Sequence, residues 1–442
     1  MIFIGIALIA VFLHFRNFKI PALFLFFFFV TSGFNLVPEE ITRFVFISKG
    51  SDFALLILFG ILTIEGLFNS GYFKRDNFTK YLFLFIAFLL VCIFYNKFIL
   101  KIGLGDIFRT CRYQFFWLAY FVFRHTAKET LELLIKCLFF VSLFTAFVFL
   151  LQIAIDREIL LEKGTGFFNL FGIKLTRFYN QPDMLFFFIF MALYHNPLKG
   201  IPKYISIILF TMALLGAFHR SLIGCFAISL ILGYVIRLPR LKRIYFVATL
   251  SVLLLFVVVF WGYKFVHSRT YSDVQAVVSG NILDVEFDVE NMEATFTFRV
   301  LHLLERNQYL LEHPQAMFLG AGLIPEDSKM VDRMFDFKIG LLEELTGARA
   351  QLESADISYS NLFLRLGYLG TFLYLSLFIY LMVFFYKKRE NSYAFFSFLY
   401  LVMSIGDSFF AANLLNPVSF LLPLISYHIV KKTDGKLIKN EN

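Results

Sequence analysis

Three features of this sequence predict an all-α, polytopic transmembrane helix bundle of about 12–13 spans with one large, partly helical periplasmic loop. They are a composition too apolar for water, a succession of span-length apolar segments, and basic residues confined to alternate connections. Of the 442 residues 59% are hydrophobic and 17% charged, with a mean hydropathy of +0.74. A soluble chain carries about 25% charged residues to cover its surface. The 64 Phe and 21 Tyr suit lipid contact and the two interfaces, where aromatic rings gather.

Crossing a bilayer takes roughly 20 apolar residues, fewer where the ends snorkel. Apolar segments lie at 2–15, 20–37, 53–68, 81–98, 113–124, 136–155, 183–196, 203–218, 221–236, 244–262, 358–385, 392–406 and 413–430. The weakest is 113–124, around Phe115 to Phe123, which reads equally as a re-entrant or interfacial piece. No internal repeat is evident, which argues against transporters built from duplicated halves.

Lys and Arg in short loops set orientation. Basic connections occur at Arg16/Lys19, Lys74/Arg75/Lys80, Arg124/Lys128, Lys199/Lys203, Arg237/Arg240/Lys242/Arg243, Lys387/Lys388/Arg389 and Lys431/Lys432. They fall on alternate loops, so all sit on the cytoplasmic side together, along with the C-terminus. The long loop from Tyr263 to Ile357 and the connection from Asp156 to Pro182 then lie outside. The chain divides into membrane helices over 1–262, the loop at 263–357, and membrane helices with a short tail over 358–442. The loop holds 8 Lys and Arg against 16 Asp and Glu, and the rest of the chain 33 against 16. An acidic loop on a basic membrane part excludes a nucleic-acid binder, whose basic residues form a continuous patch. The partner surface is the lipid bilayer.

Several chemistries have no support. Cys92, Cys111, Cys137 and Cys225 all lie in or beside apolar spans, so no disulfide framework is expected. The eight His are scattered, with neither HExxH nor CxxC spacing, and no metal or other cofactor is expected. The apolar stretch from Ile2 to Leu13 lacks a basic leader and a small-residue cleavage site, so no cleavable signal is expected.

The loop is expected to be folded. Thr295 to His313 reads as an amphipathic helix ended by Pro314, with Leu303, Leu304, Leu310 and Leu311 on one side and Arg299, His302, Arg306, Tyr309 and His313 on another. A second helical stretch is expected from about Asp327 to Leu345, and Asp284 to Glu293 is ambiguous between strand and loop.

An ionisable group at membrane depth is costly and is a functional candidate by default. Arg220 sits in a very short outer connection, Ala217-Phe218-His219-Arg220-Ser221. Arg365 lies within the span after the loop, with Asn361 one turn earlier, and Asp356 opens that span. With Arg299 and Arg306 they outline an outer-leaflet site of several guanidinium groups and one carboxylate. Arg forks grip phosphate bidentately and keep their charge. Each residue also has a plainer reading. Arg220 anchors a hairpin at the headgroups, the Arg299 stripe is a solvated helix face, and Arg365 pairs with a neighbouring carboxylate. Asp356 is then a helix N-terminal residue favoured by the macrodipole, and Asp407 a turn residue.

Four stretches in order resemble the family of O-antigen polymerases and ligases, integral-membrane glycosyltransferases. They are Arg177-Phe178-Tyr179-Asn180-Gln181-Pro182-Asp183, His219-Arg220-Ser221, Arg299 with the later His313-Pro314 and Leu319-Gly320-Ala321-Gly322, and Asp356-Ile357-Ser358-Tyr359 with Leu366-Gly367-Tyr368-Leu369-Gly370. The likeness covers about residues 177–370. Many members, ligases especially, carry His where this chain has Asp356, and Asp183 stands in place of the usual Asn. The resemblance implies a metal-independent transfer of glycan from polyprenyl diphosphate. Arg220 and Arg299 are then at the diphosphate, Asp356 is the base, and Arg177, Arg306, His313 and Arg365 bind substrate. The implied partners are a polyprenyl-diphosphate-linked oligosaccharide, a chain-length regulator and a flippase. A polymerase at the outer face of the bacterial inner membrane is the expected activity. Alternatives are a ligase passing glycan to a lipid A core and, from another class, a transporter or flippase, whose charges would line a central cavity.

Overall fold

The computed structural model describes residues 2–38, 41, 49–161, 164–170, 173–239, 241–246, 249, 251, 296–340, 350–352 and 357–440. The first half of the bundle comprises α1 (Ile2–Phe15), α2 (Lys19–Val30), the four-residue α3 (Ser32–Asn35), α4 (Gly50–Phe68) and α5 (Asn77–Phe98). Next come α6 (Leu104–Cys111), α7 (Ala119–Arg124) and α8 (Lys128–Ile155). After a hairpin of β1 (Thr165–Leu170) and β2 (Ile173–Phe178) follow α9 (Leu185–Tyr194), α10 (Ile201–Gly216) and α11 (Arg220–Arg237). The loop contributes α12 (Phe296–Glu312), α13 (Pro314–Leu319) and α14 (Val331–Met334). The chain then continues through α15 (Ser358–Lys387), α16 (Ser392–Asp407) and α17 (Val418–Asn440).

Five of these helices, α4, α5, α8, α11 and α15, are long and apolar enough to cross a membrane, and five shorter ones are apolar too. Their outward faces are apolar. Leu84, Leu90, Val91, Phe94 and Phe98 are exposed on α5, and Phe140, Phe144, Phe147 and Leu151 on α8. So large a contiguous apolar surface is not tolerated in water and is the ordinary surface of a protein in lipid. The chain is a helical membrane protein. The expected span at 244–262 lies mostly outside the described residues.

The doubtful segment at 113–124 runs through the interior. A 3-10 helix (Arg112–Leu118) joins α6 to α7, and Phe116, Trp117, Tyr120 and Phe121 are fully buried. Trp117 stacks on Phe420 with ring centres 4.1 Å apart. At one end of this segment Arg109 reaches the loop residue Asp327 at 2.6 Å, and at the other Arg124 donates to the Lys74 carbonyl at 2.6 Å. It therefore passes from one end of the bundle to the other, which excludes the interfacial reading. One turn in from the loop end, Arg112 and Asp52 form a buried pair at 3.0 Å, so neither charge is left uncompensated.

Four of the basic connections meet at one end of the bundle. Asp76 accepts from Lys431 at 2.8 Å and from the Tyr120 hydroxyl, with Arg124 at 3.9 Å, while Lys19 donates to the His125 carbonyl at 3.3 Å. Burial by itself would raise the Asp76 pKa, but hydrogen bonds from Lys431, Tyr120 and the Thr79 amide hold it well below the usual carboxylate range.

The loop departs from expectation in three ways. The middle of the polar stripe, whose plainer reading was a solvated face, is turned inward: His302 and Arg306 are buried with Phe298 and Leu301, while His313 at its end is exposed, and of the leucines Leu310 is buried and Leu311 exposed. The burial is eased by a polar partner for each of the two side chains. His302 meets the Ser360 hydroxyl at 2.8 Å, and Arg306 pairs with Glu305 at 2.6 Å and donates to the Gln351 carbonyl at 2.9 Å. Pro314 opens α13 as well as ending α12, since a first-turn proline forfeits no helical hydrogen bond. Of the second expected helix, only Val331–Met334 is helical among the described residues. Beyond it side chains satisfy the backbone, because Glu305 accepts from the amides of Lys338 and Ile339 at 2.6 and 3.1 Å and Gln351 from that of Phe337 at 2.6 Å. Residues 284–293 lie outside the described part.

Candidate functional site

The hairpin, which the sequence reading did not anticipate, holds Arg177 in place. Arg177 stands opposite Gly166 in the antiparallel register, and its guanidinium lies 4.9 Å from the centre of the Tyr179 ring. Just past the hairpin, Asn180 is locked to α8. The Gln152 amide donates to the Asn180 side chain at 2.5 Å, and the Gln152 oxygen accepts from the amides of Ile159 and Leu160 at 3.2 Å each. The end of the strand therefore cannot drift relative to the bundle.

A second element brings His219 and Arg220. Phe218 takes a left-handed φ of 48°, which turns the chain sharply between α10 and α11. His219 then caps α11, its Nδ1 accepting from the Leu222 amide at 3.4 Å and meeting the Ser221 hydroxyl at 3.0 Å. Arg220 is the exposed first residue of that helix. Burial, and then the charges of Arg177 and Arg299, push the His219 pKa down to about 4, so the imidazole is neutral at neutral pH. Both arginines must lie near His219 to act on it, although the three residues come from three separate parts of the chain.

Arg299 enters from the first turn of α12, its guanidinium 5.7 Å from the centre of the Phe410 ring. It also interacts with the carboxylate of Asp407. Asp407 is 1% exposed and accepts from the Asn413 amide at 2.5 Å, and Ser221 approaches the same carboxylate. Arg177 and Arg299 thus act on His219, Arg299 and Ser221 act on Asp407, and Arg220 follows His219 at the head of α11. Asp407 was read from the sequence as a turn residue, and its burial corrects that reading. One signal was legible: it ends an apolar helix, where the macrodipole disfavours a carboxylate and no local partner explains it.

Two of the other expected site residues, Arg306 and His313, sit elsewhere. Arg306 is engaged by Glu305, Gln351 and the Phe337 ring at 4.3 Å, a set of contacts within the loop. His313 is exposed, donates to the Tyr309 carbonyl at 2.8 Å and stacks on that ring, beside a cavity of about 420 Å³ shared with Tyr95 and Gln315. Arg365 precedes the break in α15 at Gly367, where φ is 65°, and its carbonyl lies against Gly320. Asp356 lies outside the described residues. Among the described residues, no group of three or more His, Cys, Asp or Glu is placed to hold a metal ion.

A second polar feature adjoins the arginines. A cavity of about 460 Å³ is lined by Asn35, Tyr179, Gln181, Asp183, Asn413 and Asn416 among others. Tyr179 and Asn413 belong to both, since one carries Arg177 on its ring and the other holds Asp407. No family model matches the chain, and no curated protein matches it either. The functional reading therefore rests on geometry and on the four motifs.

Proposed function

We propose that the chain is a membrane glycosyltransferase that polymerises lipid-linked oligosaccharide units, passing the growing glycan from one polyprenyl diphosphate to the sugar of a new unit. The observation that carries this reading is that Arg177 and Arg299 both act on His219, beside Arg220 at the head of α11, while Arg299 also acts on the buried carboxylate Asp407. A sugar joined at C1 to a diphosphate has a leaving group that needs charge stabilisation and no proton. Preorganised guanidinium groups in a water-poor site supply it. An acceptor hydroxyl oxygen bonds to C1, the C1–O bond to the diphosphate breaks, and the diphosphate departs with the electron pair. The hydroxyl proton passes to a carboxylate. Asp407 is the described candidate for that base, and Asp356 the one the sequence motif indicates.

The four gathered basic connections support a cytoplasmic face at that end. The arginine site, at the loop end, then faces the outside of a bacterial inner membrane, where lipid-linked units arrive. A flippase and a chain-length regulator are the partners this reading requires.

The test is a strain producing the protein at normal membrane levels, with its surface and lipid-linked glycans resolved by size. Arg299→Ala and Arg220→Ala should each abolish long polymer while single units still reach the surface. Arg→Lys should fail as well, because a point charge does not replace a planar fork. Long polymer from both alanine variants would end this reading. Long glycan stranded on the carrier lipid in a deletion strain would make the chain a ligase.

A further inference from the structure

The cavity beside the arginines is built with unusual effort. Ser32, Gly33, Phe34 and Asn35 take φ of 48°, 67°, 58° and 65°. Four successive residues are thus left-handed, a conformation unfavourable for every residue other than glycine. The outcome is the placement of Asn35. Its amide donates to Asp183 Oδ2 at 3.1 Å, its oxygen accepts from the Asp183 amide at 3.2 Å, and its carbonyl accepts from the Leu161 amide at 2.7 Å. From the opposite wall, Asn416 donates to Asp183 Oδ1 at 3.5 Å. Elements from the two ends of the chain and from its middle thus fix one carboxylate at one wall of the cavity.

We propose that this cavity is a sugar-binding site that takes the acceptor's terminal saccharide, with Asp183 as its specificity-determining hydroxyl acceptor. The proposal rests on the glycosyltransferase reading for the word acceptor, and on the cavity alone for the word sugar. The volume of about 460 Å³ falls within the roughly 300–1,000 Å³ of small-molecule sites. The lining is rich in amides and tyrosines, with one carboxylate and one ammonium group, Asp183 and Lys49. An anionic phosphate would meet the Asp183 charge, and a metal cation would meet that of Lys49. A neutral polyol meets neither objection. Its hydroxyls both donate and accept, as a wall of Asn and Gln side chains requires, and its C–H faces stack on Tyr rings. A carboxylate accepts at about four lone-pair positions, so it can take a sugar hydroxyl alongside protein donors. Asn413 bonds to Asp407 while lining the cavity, which sets a bound sugar beside the carboxylate proposed to take its proton.

The full-length protein in lipid nanodiscs would be titrated with free glucose, galactose, mannose, rhamnose and N-acetylglucosamine, with binding read by saturation-transfer NMR. At least one sugar should bind. Asp183→Asn should weaken it about tenfold, as expected for loss of a charge-assisted hydrogen bond. Tyr179 is 43% exposed, so Tyr179→Ala keeps the fold while removing a ring from the wall, and it should weaken the same sugar. Lys80→Ala, at the opposite end, should change nothing. Absence of binding by all five sugars, or binding indifferent to both variants, overturns the proposal. If Arg299→Ala abolishes polymer and no sugar binds, the cavity proposal alone is wrong. If a sugar binds as described while Arg299→Ala leaves the cellular glycans unchanged, the glycosyltransferase reading fails and the sugar site stands.

Discussion

The Ala321 amide donates to the Leu364 carbonyl at 2.7 Å, joining the end of α13 to α15 one turn before that helix breaks. The contact unites two glycine motifs that are far apart in the chain. A Cβ on Gly320, whose φ is 85°, would meet the Arg365 carbonyl, and one on Gly367 would meet the carbonyls of Met317 and Phe318. Asn96 of α5 holds the other side, its oxygen accepting from the Leu323 amide at 2.6 Å. The loop is thereby clamped between two membrane helices. Gly320→Ala should destabilise the protein by about 3 kcal/mol, from a backbone clash added to a left-handed φ. Heating detergent-solubilised protein and following its monodisperse peak measures this, and a melting temperature unchanged from wild type would refute the clamp.

Arg306 and Arg299 should fail in different ways. Removing Arg306 leaves Glu305, 14% exposed, without its 2.6 Å partner. Breaking a buried pair costs about 3–5 kcal/mol. Arg306→Ala should therefore lower the amount of folded protein, and Arg299→Ala should lower polymer at normal protein levels. Immunoblots of membranes beside the glycan profile separate the two, and normal levels of the Arg306 variant would contradict its structural role.

His219 gives a pH signature. Its folded pKa of about 4 lies below the ordinary histidine value of 6.5, so between those values the unfolded chain binds more protons. The stabilisation is fully present above pH 6.5 and is lost as the pH falls towards 4. His302, pushed down to about 2 by burial and then by Arg306, adds a similar loss and must be subtracted. The difference in melting temperature between wild type and His219→Gln should therefore shrink from pH 7 to pH 4. A constant difference would show that His219 is not held neutral.

Orientation is testable without any substrate. A cysteine at Lys329, in the loop, should react with an impermeant thiol reagent in intact spheroplasts, and one at Lys388 should not. Cys92 and Cys111 are buried and contribute little background, while Cys137 and Cys225 should first be replaced by serine. Labelling of Lys388→Cys from outside would invert the arrangement proposed here.

Membrane residence and the helical class follow from the sequence alone, because they depend on sums over many residues. Twenty apolar side chains in succession leave the backbone one economical solution in lipid, and no single contact changes that. The α12 helix was legible for the same reason, being long and periodic. Its buried face was not, since an inward-facing Arg306 is tolerated only where Glu305 and Gln351 meet it. The hairpin was equally illegible, its Asn180 end being secured by Gln152 of a distant helix. Arg220 and Arg299 were identifiable from the residues themselves, and Arg177 through the family resemblance. That Arg177 and Arg299 act on His219 and Arg299 on Asp407, while Arg306 and His313 lie elsewhere, was decided by the packing of helices from distant parts of the chain. Charge is a property of the residue, whereas its partner is a property of the fold, because attraction between groups depends on the distance that packing sets.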